Sequence, residues 1–201
     1  MRQPTPALRA ACAFLALGLA AWTAVTLAGT PAGSARTAAP PPLQEATWFA
    51  EGAAKPKHVL YAVVDPNCPF CHELWQSAQP LYGAGVQMRY VLVGILADNS
   101  AAKAAAILEA VNPAVAWDWN ETHWQQLPGD TGGGIRPLSH PNRRSLAAIQ
   151  RNEALAHDLG IQGTPAIIYM DKQGRLHVVQ STPDTAALRR IAADSADTGQ
   201  E

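Results

Sequence analysis

The chain has 201 residues, 48% of them hydrophobic and 15% charged, with a formal net charge of -1. A length of this order suits one globular domain plus an extension. A balance so near zero, with no long run of one sign, excludes the electrostatics of a nucleic-acid binder or of a polyionic tail. Its 15 Gly and 16 Pro are too few and too localised for a fibrous or wholly disordered protein.

In chain order, Arg2 and Arg9 are the only charges before an apolar run over 10–28. A basic start, an apolar core and then small residues form the pattern of an export signal, with a cleavage end at Ala28-Gly29-Thr30 or Gly33-Ser34-Ala35. The run also approaches the roughly 20 residues a membrane span requires, so residues 1–29 are read as a signal peptide or a membrane anchor. A buried helix of a cytosolic domain fits poorly, because Thr23 and Thr26 leave no amphipathic face. Residues 30–45 are a Pro/Ala-rich linker ending in Pro40-Pro41-Pro42, stiffened there by consecutive prolines.

Ordered structure is expected from about Ala46, in a domain spanning 46–195. The valine-rich segment 58–64 reads as a buried strand, bounded by Lys55-Pro56-Lys57 and Asp65-Pro66. The spacing of Phe70, Leu74, Trp75 and Ala78 predicts a helix over 69–81, with Pro69 in its first turn and Pro80 ending or kinking it. A second strand is predicted over 86–93, then an alanine-rich helix over 101–111 capped by Asn99-Ser100. The stretch 114–140, with Trp117, Trp119, Trp124 and the Gly132-Gly133-Gly134 loop, has no clear period. Its tryptophans are either core of a helical region or an exposed patch. A helix over 145–159, a strand over 165–170, a turn, a strand over 176–179 and a helix over 183–192 complete an α/β domain with one central sheet. Residues 196–201 are expected to be a disordered tail.

Of three cysteines, Cys12 lies in the export segment, leaving Cys68 and Cys71 to the domain. A pair two residues apart braces nothing distant, and in an oxidising compartment it reads as a reactive centre. Its position, where a strand hands over to a helix, matters more than its letters. A helix N-terminus presents free N–H groups and about half a positive charge, which stabilise a thiolate. Such settings bring a cysteine pKa from about 8.5 into roughly the 3.5–7.5 range. Cys68 is therefore expected to be the exposed, attacking sulfur and Cys71, one turn on, the buried resolving one. Pro69 and Phe70 would tune the pair through backbone geometry and packing. A zinc site lacks further ligands, since His58, His72, His123, His140, His157 and His177 are scattered, so no metal is expected. His72 is read mainly as a solvated residue. Thr164-Pro165 opens a strand, where a proline is either a simple edge residue or a cis-proline facing the dithiol; the order of elements favours the second. The Thr164 backbone would then pair with an extended client segment.

The segments VVDPNCPFCHELW and NEALAHDLGIQGTPAIIYM resemble the catalytic domain of the DsbG/DsbC family of periplasmic thiol:disulfide interchange proteins, over about 48–191. The resemblance implies a thioredoxin fold with a helical insertion, roughly 101–160, between the second strand and the cis-proline strand. It implies an active pair at Cys68 and Cys71 and a substrate-facing Thr164-Pro165, with threonine typical of the isomerase and reductase branch. Further implied are a periplasmic location, soluble or anchored to the inner membrane, and cysteine-containing exported proteins as clients. A membrane thiol electron donor of the DsbD type, and no cofactor beyond the redox pair itself, are implied as well. Family members carry an N-terminal dimerisation domain, whereas only the signal region and linker precede Trp48 here, so a monomer with weak isomerase activity is expected. The alternatives are a thiol oxidase and a non-catalytic, chaperone-like binding module.

Overall fold

Alternation along 58–64 sends Leu60, Ala62 and Val64 to one face of a sheet and Tyr61 and Val63 to the other, and all five are buried. A strand hydrophobic on both faces needs cover on both, and helices supply it. The computed structural model describes residues 39–125 and 132–197. The expected signal or anchor at 1–29 and the linker up to residue 38 lie outside the described residues.

The sheet contains β1 (Trp48–Gly52), β2 (His58–Val64), β3 (Val86–Leu92), β4 (Ala166–Met170) and β5 (Leu176–Val179), in the order β1-β3-β2-β4-β5. β2 and β3 are parallel, joined by the crossover helix α1 (Pro69–Tyr82), and the remaining pairs are antiparallel. Three helices, α2 (Ser100–Glu109), α3 (Pro113–Thr122) and α4 (Arg143–Asp158), intervene between β3 and β4, and α5 (Thr185–Asp194) closes the domain. This is the expected α/β thioredoxin-like architecture with its helical insertion. One face of the sheet packs on α1, α5 and the insertion, with Trp117 fully buried among Phe49 and Tyr90. The other packs Tyr61, Val63, Val91 and Ile168 against Ala156 of α4.

Several expectations are corrected. Structure begins before Ala46: Pro41–Leu43 form a 3-10 turn, and Leu43 is fully buried against the second face. β1 was not anticipated, because five residues with one buried side chain, Phe49, carry almost no period. The strand expected second is therefore third. Of the two outcomes expected at Pro80, it does not end α1, which runs to Tyr82; core packing of Leu81 and the bond from Tyr82 Oη to Glu51 (3.0 Å) hold the turn beyond it. Asn99 makes no side-chain cap on α2; its amide oxygen is taken by Asn67 instead. The expected tail starts inside the fold, since Ala196 N–H bonds Met170 O (2.8 Å) and Asp197 bridges His58. Of the tryptophans, Trp117 is core and Trp119 is exposed, while Trp124 stacks on His72.

Leu43 separates a linker from a structural segment. Leu43→Ala should lower the unfolding free energy in urea by about 2–5 kcal/mol, as for other buried leucines. A linker leucine would change it by no more than about 0.5 kcal/mol.

Candidate active site

β2 delivers the chain to a buried turn, Asp65-Pro66-Asn67, and α1 starts at the next residue. An Asx-type bond from Asn67 N–H to Asp65 Oδ1 (2.9 Å) and the bond from Cys68 N–H to Asp65 O (3.0 Å) close the turn. Cys68 is the N-cap of α1 in extended conformation, and its carbonyl accepts from the Cys71 and His72 N–H groups (3.0 and 3.1 Å). Pro69 stands at the first helical position, where its missing N–H costs nothing.

The structure brings the four expected residues together. The Thr164–Pro165 peptide is cis, and the Cys68 Sγ–H donates to Thr164 O at 3.2 Å. Phe70 is exposed and lines a shallow groove of about 560 Å3 with Gln162, Gly163, Thr164, Pro165 and Gln180. Every side chain along that groove is uncharged.

Both thiols are free and, against expectation, both are buried, Cys68 at 2% exposure and Cys71 at 0%. Exposure therefore does not separate their roles; hydrogen bonding does. The Cys71 thiol hydrogen-bonds the Cys68 sulfur, and with the Thr164 side chain and the Phe70 and Cys71 N–H groups it outweighs the cost of burial. The Cys68 thiol is pulled down to about 6. Burial pushes Cys71 far up, and the neighbouring Cys68 adds to the effect, so it stays a thiol through neutral pH.

His72 was expected to be solvated and is not. Its ring stacks between Trp75 and Trp124 (centroids 5.9 and 4.8 Å), and Nδ1 bonds the buried Glu121 at 2.9 Å. Burial pushes the Glu121 carboxyl up, opposed by its bonds from His72 and Asn120. Among the described residues, no group of three or more His, Cys, Asp or Glu is arranged to hold a metal ion.

Sequence reasoning missed the polar layer under the turn. Asp65 Oδ2 accepts from Ile95 and Leu96 N–H (2.8 and 2.9 Å), and its Oδ1 also accepts from Ser100 Oγ (2.8 Å). Pro66 O accepts from Gly133 N–H and Asn120 Nδ2 (3.0 and 3.1 Å). Lys103, fully buried, donates to Asn67 Oδ1 and Gly133 O (both 2.8 Å). The one available signal was a lone lysine inside the alanine-rich face of α2.

Fold and site together define a dithiol domain of the thioredoxin type. Residues 43–191 match the thioredoxin-like domain family, and the chain belongs to that family. It is similar to the thiol:disulfide interchange proteins DsbG of Pseudomonas aeruginosa, 34% identical over 150 residues, and of Escherichia coli, 34% over 153 residues. These alignments cover 74% of this chain but 56% and 58% of the relatives, so the chain spans little more than half their length. Among solved structures, a periplasmic thioredoxin-like protein from Salmonella enterica serovar Typhimurium superposes with a TM-score of 0.56 at 20% identity, covering 73% of this chain and 88% of that one. That likeness supports the fold.

The two thiols should titrate apart. The alkylation rate of Cys68 should rise with pH through about 6 and then level off, whereas a free thiol levels off only above about 8.5. Cys71 in a Cys68→Ser variant should remain slow across that range. Because the Cys68 pKa is depressed in the fold, the dithiol form gains stability between about 6 and about 8.5 and loses it as pH falls through 6, measurable by urea unfolding at each pH. Faster alkylation of Cys71 would reverse the roles.

Proposed function

We propose that this chain is an exported dithiol–disulfide oxidoreductase that reduces or isomerises disulfides in other cysteine-containing proteins, and reduces their sulfenylated cysteines. The observation that carries the reading is the free Cys68–Cys71 pair at the start of α1, with the Cys68 thiol held against the cis-proline loop.

The Cys68 thiolate attacks one sulfur of a client disulfide; a Cys68–client disulfide forms and the client's other sulfur leaves as thiolate. Cys71 gives its proton to solvent and attacks the Cys68 sulfur. The second client thiolate leaves, and the two electrons lost by the pair are those gained by the client. With a client sulfenic acid the first leaving group is hydroxide, which departs as water, and the products are client thiol and the Cys68–Cys71 disulfide. Isomerisation follows when a client thiol, in place of Cys71, displaces Cys68. An extended client segment aligned along Thr164 would compete for the carbonyl that accepts from the Cys68 thiol, releasing the sulfur as the client docks.

A membrane thiol donor of the DsbD type would return the pair to the dithiol state, in the periplasm. The basic start and apolar run over 10–28 support export. That segment would act as a cleaved signal or as a tether; among the described residues no helix is long and apolar enough to cross a membrane. The working unit is taken as a monomer, because β2, α1, α3 and β4 of one chain complete the site; sedimentation at micromolar concentration tests it.

One observation favours the oxidase alternative: lowering the Cys68 thiol stabilises the dithiol state, which makes the pair more oxidising. The potential against glutathione decides. A value near about -200 mV or below supports reduction or isomerisation, and one near about -120 mV supports oxidation.

Cys68→Ser should abolish reduction of insulin disulfides, and Cys71→Ser should trap client proteins as mixed disulfides on gels run without reductant. Undiminished binding of unfolded clients by the variant lacking both cysteines, with no insulin reduction by the unaltered chain, would instead identify a binding module. Thr164→Val, which removes a hydroxyl that steadies the thiolate, should move the potential by about one tenfold step, roughly 30 mV, or more. An unmoved potential would make Thr164 purely structural.

A further inference from the structure

A lysine is seldom fully buried, because the ammonium loses its hydration. Lys103 is 0% exposed, yet it takes no part in the exchange steps described above. Its Nζ donates to the Asn67 amide oxygen and to the Gly133 carbonyl, both at 2.8 Å. Asn67 is the residue before Cys68, and the other end of its amide donates to Asn99 Oδ1 (2.7 Å) and Ser100 Oγ (3.0 Å). Its side chain is thus held from both ends by α2 and the residue that precedes it, while its own N–H is held by Asp65. Gly133 in turn donates its N–H to Pro66 O, so the glycine loop and Lys103 grip the same turn. A Cβ on Gly132 would collide with the Asn67 amide, so this approach requires glycine there.

We propose that Lys103 is a positioning residue of the redox centre, acting through Asn67 and Gly133 to set the turn that places Cys68 at the start of α1 against the Thr164–Pro165 loop. The inference rests on the dithiol reading of the site. The Phe70 and Cys71 N–H groups and the Thr164 side chain favour the thiolate only while the turn aims the sulfur at them. Replacing Lys103 by an apolar side chain leaves two buried acceptors, Asn67 Oδ1 and Gly133 O, without their donor. The turn then relaxes away from both. The insertion is in this way part of the redox centre and not a lid laid over it.

The test measures thiolate absorbance of the reduced protein against pH in Lys103→Met, in Asn67→Leu and in the double variant. Each single variant should raise the Cys68 midpoint by about one unit, a tenfold loss of thiolate below the midpoint. The double variant should shift it no further, because both changes break one linkage. A folded Lys103→Met protein with an unmoved midpoint overturns the proposal, even if its thermal stability falls. Failure of both single variants to fold overturns it too, since Lys103 would then support the fold as a whole. Insulin reduction by the unaltered chain is scored separately: its absence, with the midpoint shift present, would sink the enzymatic reading and leave the positioning role standing.

Discussion

The carboxylate of Asp65, fully buried at the end of β2, accepts hydrogen bonds from the Asn67, Ile95 and Leu96 N–H groups and the Ser100 hydroxyl. A buried carboxylate is costly unless its oxygens are satisfied, and four donors satisfy these. The donors come from the turn before Cys68, from the chain leaving β3 and from the first residue of α2. One side chain therefore joins the end of β2, the end of β3 and the start of the insertion at the point where α1 begins. Polar groups in such a network are expensive to leave unmade, so the turn has a strongly specified conformation. Everything the site does with Cys68 starts from there.

The two sulfurs illustrate how little exposure matters at such a site. Both are enclosed, yet one is drawn toward the thiolate and the other held as a thiol. At the N-cap, Cys68 meets donors on several sides: the N–H groups of the first turn, the Cys71 thiol and the Thr164 side chain. Cys71, inside the first turn, is desolvated and lies beside the charge that forms on its partner. The asymmetry is positional, set by where each sulfur stands on the first turn of α1.

The insertion contributes more than a cover for the sheet. α3 supplies Trp117 to the core and Glu121 to His72, and the imidazole next to Cys71 is held between Trp75 of α1 and Trp124 just beyond α3. α2 supplies Ser100 and Lys103 to the turn. On the side of the cis-proline loop, by contrast, lies an uncharged groove with Phe70 exposed at its edge. Charged groups thus lie behind the dithiol and neutral ones in front of it.

Local chemistry was legible from the chain alone wherever a pattern is short-range. The valine run of β2, the helical spacing after Cys68, the cysteine pair at a strand–helix junction and Thr164-Pro165 ahead of a strand each signal through neighbouring residues. These determined the fold class, the dithiol and its cis-proline partner. What depends on distant parts of the chain meeting was not legible. β1 exists because β3 offers an edge to pair with, and Leu43 is buried because α4 and the sheet leave room for it. His72 is enclosed because α3 returns to it. Lys103 lies in an alanine-rich helix, and nothing beside it in the chain marks it as buried. Only the folded chain, by bringing Asn67 and Gly133 to its ammonium, decided that it lies beneath the redox centre, because a side chain's burial is set by what packs over it and no sequence neighbour records that.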